Sequence, residues 1–189
     1  PAAFLRTLHA RLAARGGALV VDEAFADCTP GDTLLAPDPP PGLVVLRSVG
    51  KFFGLAGARV GFVGADAPTR AALAQRLGPW AVAGPSRAAA AQALADSAWQ
   101  ATTRARLGRD SARLRAVLHH HGLPAAGGCE LFAYVPTPRA AVLHDALARR
   151  GILTRLFAHP PALRLGLPGT PTHWQRLHAA LRDCVTPVA

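Results

Sequence analysis

Four side chains that could act together in chemistry flank short apolar runs in the first third of the chain. Asp22 directly follows one run, Ser48 ends a second, Lys51 comes three residues later, and Arg59 opens a third. In open α/β sheets, ligands bind at the carboxyl ends of the strands. If these runs are adjacent strands, a carboxylate, a hydroxyl, an amine and a guanidinium meet at one edge of the sheet.

Lys51 is the single lysine among the 21 Lys and Arg residues of this 189-residue chain. The sequence is rich in Ala, Arg, Gly and Pro, a bias typical of a GC-rich genome, in which interchangeable lysines become arginine. Arginine cannot replace a nucleophilic lysine, because its guanidinium stays protonated, whereas a buried lysine can lose its proton and form an imine. An indispensable amine would explain this lysine; chance survival of a surface lysine is the alternative.

The four groups match the chemical needs of pyridoxal 5'-phosphate. An amine would react with its aldehyde, a carboxylate would hold its ring nitrogen, and a hydroxyl and a guanidinium would bind its phosphate. Taken alone, Asp22 fits equally well as a helix cap or a loop residue. The combination therefore predicts a cofactor site that no single residue would establish.

Charge and cysteine content give little support to other classes of partner. The net charge of +10 comes from arginines scattered along the whole chain, so we expect no nucleic-acid partner. The arginines within 104–115 have the spacing of one helix side, which predicts a solvated face, with a basic docking surface as the alternative. Cys28, Cys129 and Cys184 lack metal-binding spacing, which predicts free thiols in a reducing cytoplasm.

No apolar run approaches the roughly 20 residues that a membrane span needs, and the first residues lack the apolar core of a signal peptide. We therefore expect a cytoplasmic protein without a membrane partner. The adjacent histidines 119–121 point in three directions if they lie on a helix, so we expect no metal site there.

Helical spacing, glycine turns and proline-containing loops divide the chain into alternating elements. Three short apolar runs with little polar alternation predict the α/β class, with a mostly parallel sheet covered by helices on both faces. A small α+β domain is predicted after a long helix. The predicted strands are 18–21, 43–46, 59–63, 129–135 and two near 152–157 and 162–167, and the predicted helices are 4–12, 67–77, 85–95, 99–121, 140–151 and one after Pro171.

Three segments carry a family resemblance. "VVDEAF", "SVGKFFGLAGARVGFV" and "LRLGLP" resemble the fold type I pyridoxal-phosphate enzymes of the aspartate aminotransferase superfamily, in the branch of histidinol-phosphate aminotransferases and threonine-phosphate decarboxylases. Within that branch, "VVDEAFADCTP", "LRSVGKFFGLAGARVGFV" and "GPWAVAGPSRAAAAQALADSAW" are most similar to the decarboxylases of cobalamin biosynthesis.

The resemblance implies a function and a role for each site residue. It implies a homodimeric lyase that converts L-threonine O-3-phosphate to aminopropanol phosphate; a class I/II aminotransferase, such as a histidinol-phosphate aminotransferase, is the alternative. A strand residue at the surface is the alternative role for Arg164. The implied roles are ring-nitrogen binding by Asp22, packing on the ring by Ala24, phosphate binding by Ser48 and Arg59, covalent binding by Lys51, and substrate-carboxylate binding by Arg164.

The resemblance also implies a division of the chain. Residues 1–98 would be the C-terminal part of the large cofactor-binding domain, 99–122 a connecting helix, and 123–189 the small C-terminal domain. We expect the chain to lack the first part of the large domain, so that it would be inactive alone. An inactive remnant of such an enzyme is the alternative. Phe25 stands where many relatives have a tyrosine, so a hydrogen bond from that hydroxyl to the cofactor would be missing.

Two other functional classes are tested by the same residues. Ser48-Val49-Gly50-Lys51 matches the S-x-x-K pattern of penicillin-binding proteins and β-lactamases, but those enzymes also need a K-T-G motif, and this chain has no second lysine. A noncatalytic, aminotransferase-like regulatory domain would need a winged helix, which the sequence does not contain. The pyridoxal-phosphate enzyme is therefore the preferred interpretation.

Overall fold

The computed structural model describes residues 2–185, and the chain divides into two compact units, Pro1–Trp99 and Gln100–Ala189. The first unit contains a three-stranded sheet and the second a four-stranded sheet. The division predicted for residues 1–98, 99–122 and 123–189 stays a prediction.

The first unit alternates helices and strands. Its helices begin and end close to the predicted residues, because glycine and proline interrupt the helical spacing at those points. At the start of the helix predicted at 67–77, Asp66 accepts a hydrogen bond from the Thr69 backbone amide at 2.8 Å, and this bond lowers the pKa of Asp66. The elements are α1 (Ala2–Ala13), β1 (Leu19–Asp22), β2 (Leu43–Ser48), β3 (Gly61–Gly64), α2 (Ala67–Leu77) and α3 (Gly84–Ala95), and α4 (Ser97–His120) begins before the unit ends.

The sheet of the first unit has the order β1-β2-β3. β1 and β2 are parallel, with Asp22 opposite Leu46, but β3 is antiparallel to β2, with Gly61 opposite Ser48. β3 is thus the antiparallel member of a sheet that the sequence predicts to be mostly parallel. Residues 49–60 contain only turns and the short 3₁₀ helix Ala56–Ala58, and a parallel return needs a longer crossover that usually contains an α-helix.

The direction of β3 also corrects the placement of Arg59. This residue was expected to open the third strand, but it lies two residues before β3, in the left-handed region with a φ of 56°. Because β3 is antiparallel, its amino end lies beside the carboxyl end of β2. Arg59 therefore reaches the predicted edge of the sheet from the opposite chain direction.

Side chains on β2 alternate between the two faces of this sheet. Leu43 and Val45 are buried in a small core with Leu34, against which Leu5 and Val21 also pack. Alternate residues of a strand point to opposite faces, so Leu46 and Ser48 project from the other face, as does Asp22, which pairs with Leu46. One face of the sheet thus packs in the small core, and the other presents polar side chains that could bind a ligand.

The second unit is a four-stranded antiparallel sheet in the order β4-β5-β7-β6, with helices packed against it. Its core contains Leu118 at the end of α4, Leu147 and Leu163, all fully buried. This arrangement is the small α+β fold that the sequence predicts after the long helix. The elements are β4 (Gly127–Cys129), β5 (Phe132–Pro136), α5 (Ala140–Ala148), β6 (Arg155–Phe157), β7 (Ala162–Gly166) and α6 (Pro171–Val185).

One predicted strand of this unit is divided. Residues 129–135 were expected to form a single strand, but they form the end of β4, a tight turn at residues 130 and 131, and most of β5. Gly128 makes the close hairpin possible: it has a φ of 123°, and a Cβ atom there would lie 2.2 Å from the Phe132 carbonyl oxygen.

Within residues 2–185, no helix combines the length and the apolar composition that crossing a membrane would require. The same residues contain no group of three or more His, Cys, Asp or Glu side chains arranged to hold a metal ion.

The histidines at the end of α4 form a cluster with α6. The His121 ring lies 5.0 Å from the His120 ring and 6.0 Å from the His178 ring, measured between centroids. Its Nε2 atom is buried and has no hydrogen-bond partner among the described residues. Burial is the main cause that lowers the pKa of His121 below the usual 6.5, and the positive charges of His120, His178 and Arg182 act in the same direction.

We predict that this histidine makes the folded protein less stable in acid. Because the pKa is lower in the folded state, the unfolded state binds more protons as the pH falls through 6.5 towards the folded-state pKa, so the free energy of unfolding decreases over that window. His121→Gln should weaken this pH dependence. Urea unfolding at about pH 7.5 and at about pH 5.5 would measure this pH dependence. The control is His173→Gln, at an exposed position. An unchanged pH dependence in His121→Gln would contradict the assignment.

Candidate active site

Three of the predicted site residues line one cavity in the first unit. Ser48 comes from the end of β2, Lys51 from the loop that follows, and Arg59 from the residues that lead into β3. The cavity has a volume of about 270 Å³. A hydroxyl, an amine and a guanidinium therefore face a common space, as the sequence predicted. The remaining lining residues are Gly50, Leu55, Ala56, Val60 and Gly61.

The loop around Lys51 is fixed by hydrogen bonds and by buried rings. Ser48 Oγ accepts a hydrogen bond from the Gly50 amide at 3.0 Å. Phe52 and Phe53 are buried, with ring centroids 5.0 Å apart, and Trp99 packs against both. The two residues after Lys51 thus anchor the backbone, while the lysine side chain is exposed to solvent.

The Lys51 amine contacts the loop that follows β1. Its Nζ atom lies 5.6 Å from the centroid of the Phe25 ring, a distance at which an ammonium is attracted to the face of an aromatic ring. This contact joins the lysine loop to the segment that begins at Asp22. A phenylalanine at position 25 therefore supplies a ring face to Lys51 where a tyrosine would also supply a hydroxyl.

Arg59 has an unusual backbone conformation. Its φ of 56° lies in the left-handed region, which is uncommon for residues other than glycine. The guanidinium Nη1 donates to the Ala56 carbonyl oxygen at 3.2 Å, and the side chain is otherwise exposed. The conformation turns the chain from the 3₁₀ helix into β3 and directs Arg59 into the cavity that it shares with Ser48.

Asp22 and Ala24 lie on the neighbouring strand and its loop. Asp22 ends β1 opposite Leu46, two residues before Ser48, and its Oδ1 accepts a hydrogen bond from the Ala24 amide at 2.9 Å. Asp22 is exposed and Ala24 is half-buried, and neither lines the 270 Å³ cavity. The structure places both residues at the sheet edge where the cavity lies, one strand away.

Arg164 belongs to the second unit. It lies in the middle of β7, opposite Tyr134 on β5 and Arg155 on β6. Its guanidinium carbon is 5.0 Å from the centroid of the Phe132 ring, so the charge is held over an aromatic face. Within its own unit Arg164 is half-buried, which distinguishes it from a freely solvated strand residue.

A buried cluster of charges beside the site was missed by the sequence analysis. Arg47 Nη1 donates to Oε2 of Glu23 at 3.3 Å and to Oγ1 of Thr33 at 3.1 Å, and its Nη2 donates to Oδ1 of Asp27. Oε1 of Glu23 also accepts a hydrogen bond from the Leu34 amide at 2.6 Å. Glu23 and Asp27 are each only 7% exposed.

A signal for this cluster was available in the sequence. Arg47 follows Leu43 and Val45 at the alternating spacing of a strand, so it falls on the buried face. A charge in that register needs a buried partner of opposite sign. Glu23 is in the equivalent register of β1, one residue beyond Asp22.

The chain matches a known family over nearly its whole length. The family model described as "Aminotransferase class I and II" matches residues 1–181. The chain belongs to this family. The match includes all six predicted site residues, Asp22, Ala24, Ser48, Lys51, Arg59 and Arg164.

Curated members of the family include two kinds of enzyme. A threonine-phosphate decarboxylase of Pseudomonas aeruginosa is 56% identical over 179 residues, which are 95% of this chain and 54% of the relative. A histidinol-phosphate aminotransferase of Syntrophotalea carbinolica is 34% identical, over 97% of this chain and 53% of the relative. The chain thus spans about half the length of the curated relatives that it matches.

Solved structures confirm the predicted fold class. The histidinol-phosphate aminotransferase of Sinorhizobium meliloti, solved in complex with pyridoxal-5'-phosphate, has a TM-score of 0.78 at 24% identity and covers 91% of this chain and 50% of its own. The L-threonine-O-3-phosphate decarboxylase of Porphyromonas gingivalis has a TM-score of 0.67 at 20% identity, over 87% of this chain and 54% of its own. At these identities the likeness shows the fold, which is that of the fold type I enzymes.

The close packing of the lysine loop gives a stability prediction. A Cβ atom at Gly50 would lie 3.2 Å from both Ser48 Oγ and Ala56 Cα, whereas one at Gly57 would meet nothing within 4 Å. Gly50→Ala should therefore lower the free energy of unfolding by about 1–3 kcal/mol through overpacking. Gly57→Ala, the control in the same loop, should be neutral or slightly stabilising. Urea unfolding would measure both, and equal stability of the two variants would contradict the geometry.

Proposed function

We propose that the protein, in its complete form, is a pyridoxal-phosphate-dependent lyase that decarboxylates L-threonine O-3-phosphate to aminopropanol phosphate. The observation that carries this proposal is the cavity in which the single lysine of the chain faces Ser48 and Arg59. The resemblance to the Pseudomonas aeruginosa threonine-phosphate decarboxylase, at 56% identity, supports this substrate over others.

The donor set at the sheet edge fits pyridoxal 5'-phosphate. Ser48 and Arg59 would hold the phosphate. Ser48 would donate one hydrogen bond from its hydroxyl, and the Arg59 guanidinium can form two parallel hydrogen bonds. Lys51 would bind the aldehyde carbon through Nζ, a role that its neighbours Phe52 and Phe53 support by fixing its backbone. When bound, the cofactor supplies an electron sink for the bond that breaks at the substrate Cα.

The loop after β1 would serve the ring of the cofactor. Asp22 would keep a proton on the ring nitrogen, because its carboxylate stabilises the charged form of that nitrogen. Ala24, two residues later, would pack on the ring face, where a small side chain allows close approach. Phe25 would place its ring against the Lys51 amine, which is the contact seen in this chain.

We propose a separate role for Arg164 of the second unit. Arg164 would bind the substrate carboxylate, for which a guanidinium is the best-matched side chain. Its position over the Phe132 ring supports this role, because the ring restricts the guanidinium without consuming its hydrogen-bond donors. As part of the same proposal, residues 1–98 would belong to the large domain, 99–122 to a connecting helix, and 123–189 to the small domain.

A class I/II aminotransferase, such as a histidinol-phosphate aminotransferase, is the alternative function. The 34% identical relative from Syntrophotalea carbinolica supports this alternative. The same site residues serve both reactions, and the outcome depends on which bond at Cα is held perpendicular to the cofactor ring. An inactive remnant is the further alternative for this chain taken alone.

We place the reaction in cobalamin biosynthesis, in the cytoplasm, and propose a homodimer. A reducing compartment is supported by Cys28, Cys129 and Cys184, none of which forms a disulfide within residues 2–185. The biosynthetic role follows from the decarboxylase function proposed above. The homodimer follows from the family resemblance of the sequence.

The role of Lys51 can be tested in the full-length enzyme. Lys51→Arg should abolish both activity and the absorbance band of the covalently bound cofactor, because the guanidinium stays protonated and cannot attack an aldehyde. Borohydride reduction and peptide mapping should place the pyridoxyl group on Lys51. In the control Arg76→Lys, which adds an exposed lysine on α2, the group should still be on Lys51. Labelling of any other residue in the unaltered enzyme would overturn the proposal.

The choice between the two reactions can be tested with substrates. The purified full-length enzyme should release CO₂ from threonine phosphate, which the proposed lyase would decarboxylate. It should form no keto product from histidinol phosphate with a keto-acid acceptor. Measuring both products separates the functions, and transamination of histidinol phosphate without CO₂ release would favour the alternative.

A further inference from the structure

The buried charges of Arg47, Glu23 and Asp27 lie beside the candidate site but have no role in the proposed chemistry. We call these three residues the Arg47 cluster. Their side chains are all less than one-fifth exposed, and the guanidinium contacts a carboxylate oxygen of each acidic partner. A buried charge cluster of this kind is expensive to desolvate and contributes little net stability. A role beyond stability would explain its position.

The Arg47 cluster joins two strands at the point where the site residues project. Glu23 is the chain neighbour of Asp22, and Arg47 is the chain neighbour of Ser48. Successive residues of a strand point to opposite faces, so the cluster holds the strands from one face while Asp22 and Ser48 project from the other. The Glu23 amide also donates to the Leu46 carbonyl at 2.8 Å, which extends the β1–β2 pairing one residue beyond Asp22.

The second carboxylate fixes the loop after β1. Asp27 lies in the short 3₁₀ helix Ala26–Cys28, and its contact with Arg47 ties that turn to β2. The segment between Glu23 and Asp27 contains Ala24 and Phe25. Both ends of this segment are thus bonded to the same guanidinium.

We propose that Arg47 is a positioning residue for the cofactor. By bonding Glu23 and Asp27, it sets the separation of Asp22 from Ser48 and the height of Ala24 above the sheet. This inference rests on the proposed function: a rigid cofactor would be held at its ring nitrogen by Asp22 and at its phosphate by Ser48. Affinity for such a ligand depends on their separation, because displacements of about 1 Å in a binding constellation are costly.

Only an arginine fits this position. The guanidinium is a planar fork that donates to two carboxylates at once through Nη1 and Nη2. A lysine keeps the positive charge but offers a single nitrogen, so it cannot reproduce both bonds in the same geometry. Arg47→Lys therefore separates the positioning role from the charge.

The test uses the full-length enzyme with Arg47→Lys and, separately, Glu23→Gln. Glu23→Gln is nearly isosteric and keeps the oxygen that accepts from the Leu34 amide, so it remains informative if Arg47→Lys does not fold. The control is Arg76→Lys, the same exchange at an exposed position of α2. Measurements are made at a temperature at which circular dichroism shows each variant to be folded.

Two readouts are independent of turnover. Titration of the apoenzyme with pyridoxal phosphate should show a Kd raised by about tenfold or more in Arg47→Lys and Glu23→Gln, and unchanged in Arg76→Lys. Hydrogen exchange of peptides that cover residues 19–25 in the apoenzyme should be faster in the two cluster variants only. A purely structural role would change the unfolding midpoint but leave the Kd of the folded protein unaltered.

Each outcome decides the inference. If both cluster variants bind pyridoxal phosphate with the affinity of the unaltered enzyme, the positioning role is wrong and the proposed function stands. If the unaltered enzyme does not bind the cofactor, the proposed function fails and the inference fails with it. A raised Kd together with faster exchange in residues 19–25 supports the inference.

Discussion

The antiparallel return of β3 along β2 is the constraint on which the site depends. The loop 49–60 is too compact for a helical crossover, so the chain reverses and its two ends lie side by side at one edge of the sheet. Ser48 stands at the exit of this loop, Arg59 near its return, and Lys51 within it. A parallel third strand would have carried Arg59 to the opposite edge. The cavity exists because the strand direction is reversed.

The sheet is divided into two faces by the same strand geometry. Leu43 and Val45 fill the small core on one face, and Arg47 follows them in the same register. Removing Arg47 would leave Glu23 and Asp27 buried without their cation, an arrangement that typically costs about 3–5 kcal/mol. The opposite face carries the exposed Asp22 and the half-buried Ser48. Burial and exposure thus separate the residues that hold the strands from those that can meet a ligand.

Much of this arrangement was accessible from the sequence, for physical reasons that differ between elements. Helices such as 67–77 were predicted to the residue because capping and breaking side chains act locally. The antiparallel direction of β3 could not be predicted from the apolar pattern of the strand, because pairing direction depends on the connection. The division of 129–135 into two strands depends on the conformation of Gly128, which an apolar pattern does not encode.

Some of the site residues could also be predicted from the local sequence, and others could not. Ser48, Lys51 and Arg59 could be grouped because each flanks an apolar run, which places them at strand ends irrespective of strand direction. Asp22 reached the same edge through the parallel pairing of β1 with β2, which the sequence predicted. The role of Arg164 rests on the family resemblance, since the sequence pattern of its strand does not separate a ligand-binding arginine from a solvated one. It stays a prediction.

In this chain arginine cannot replace the lysine at position 51, and lysine cannot replace the arginine at position 47. Only the first of these requirements is visible in the composition. At position 51 the proposed chemistry needs an amine that can deprotonate, so a lysine persists in an arginine-rich sequence and is conspicuous there. At position 47 two carboxylates need a fork, so an arginine is required, but it is inconspicuous among the other arginines. An indispensable arginine in such a sequence can be recognised only by its register, because a charge on the buried face of a strand must have a partner.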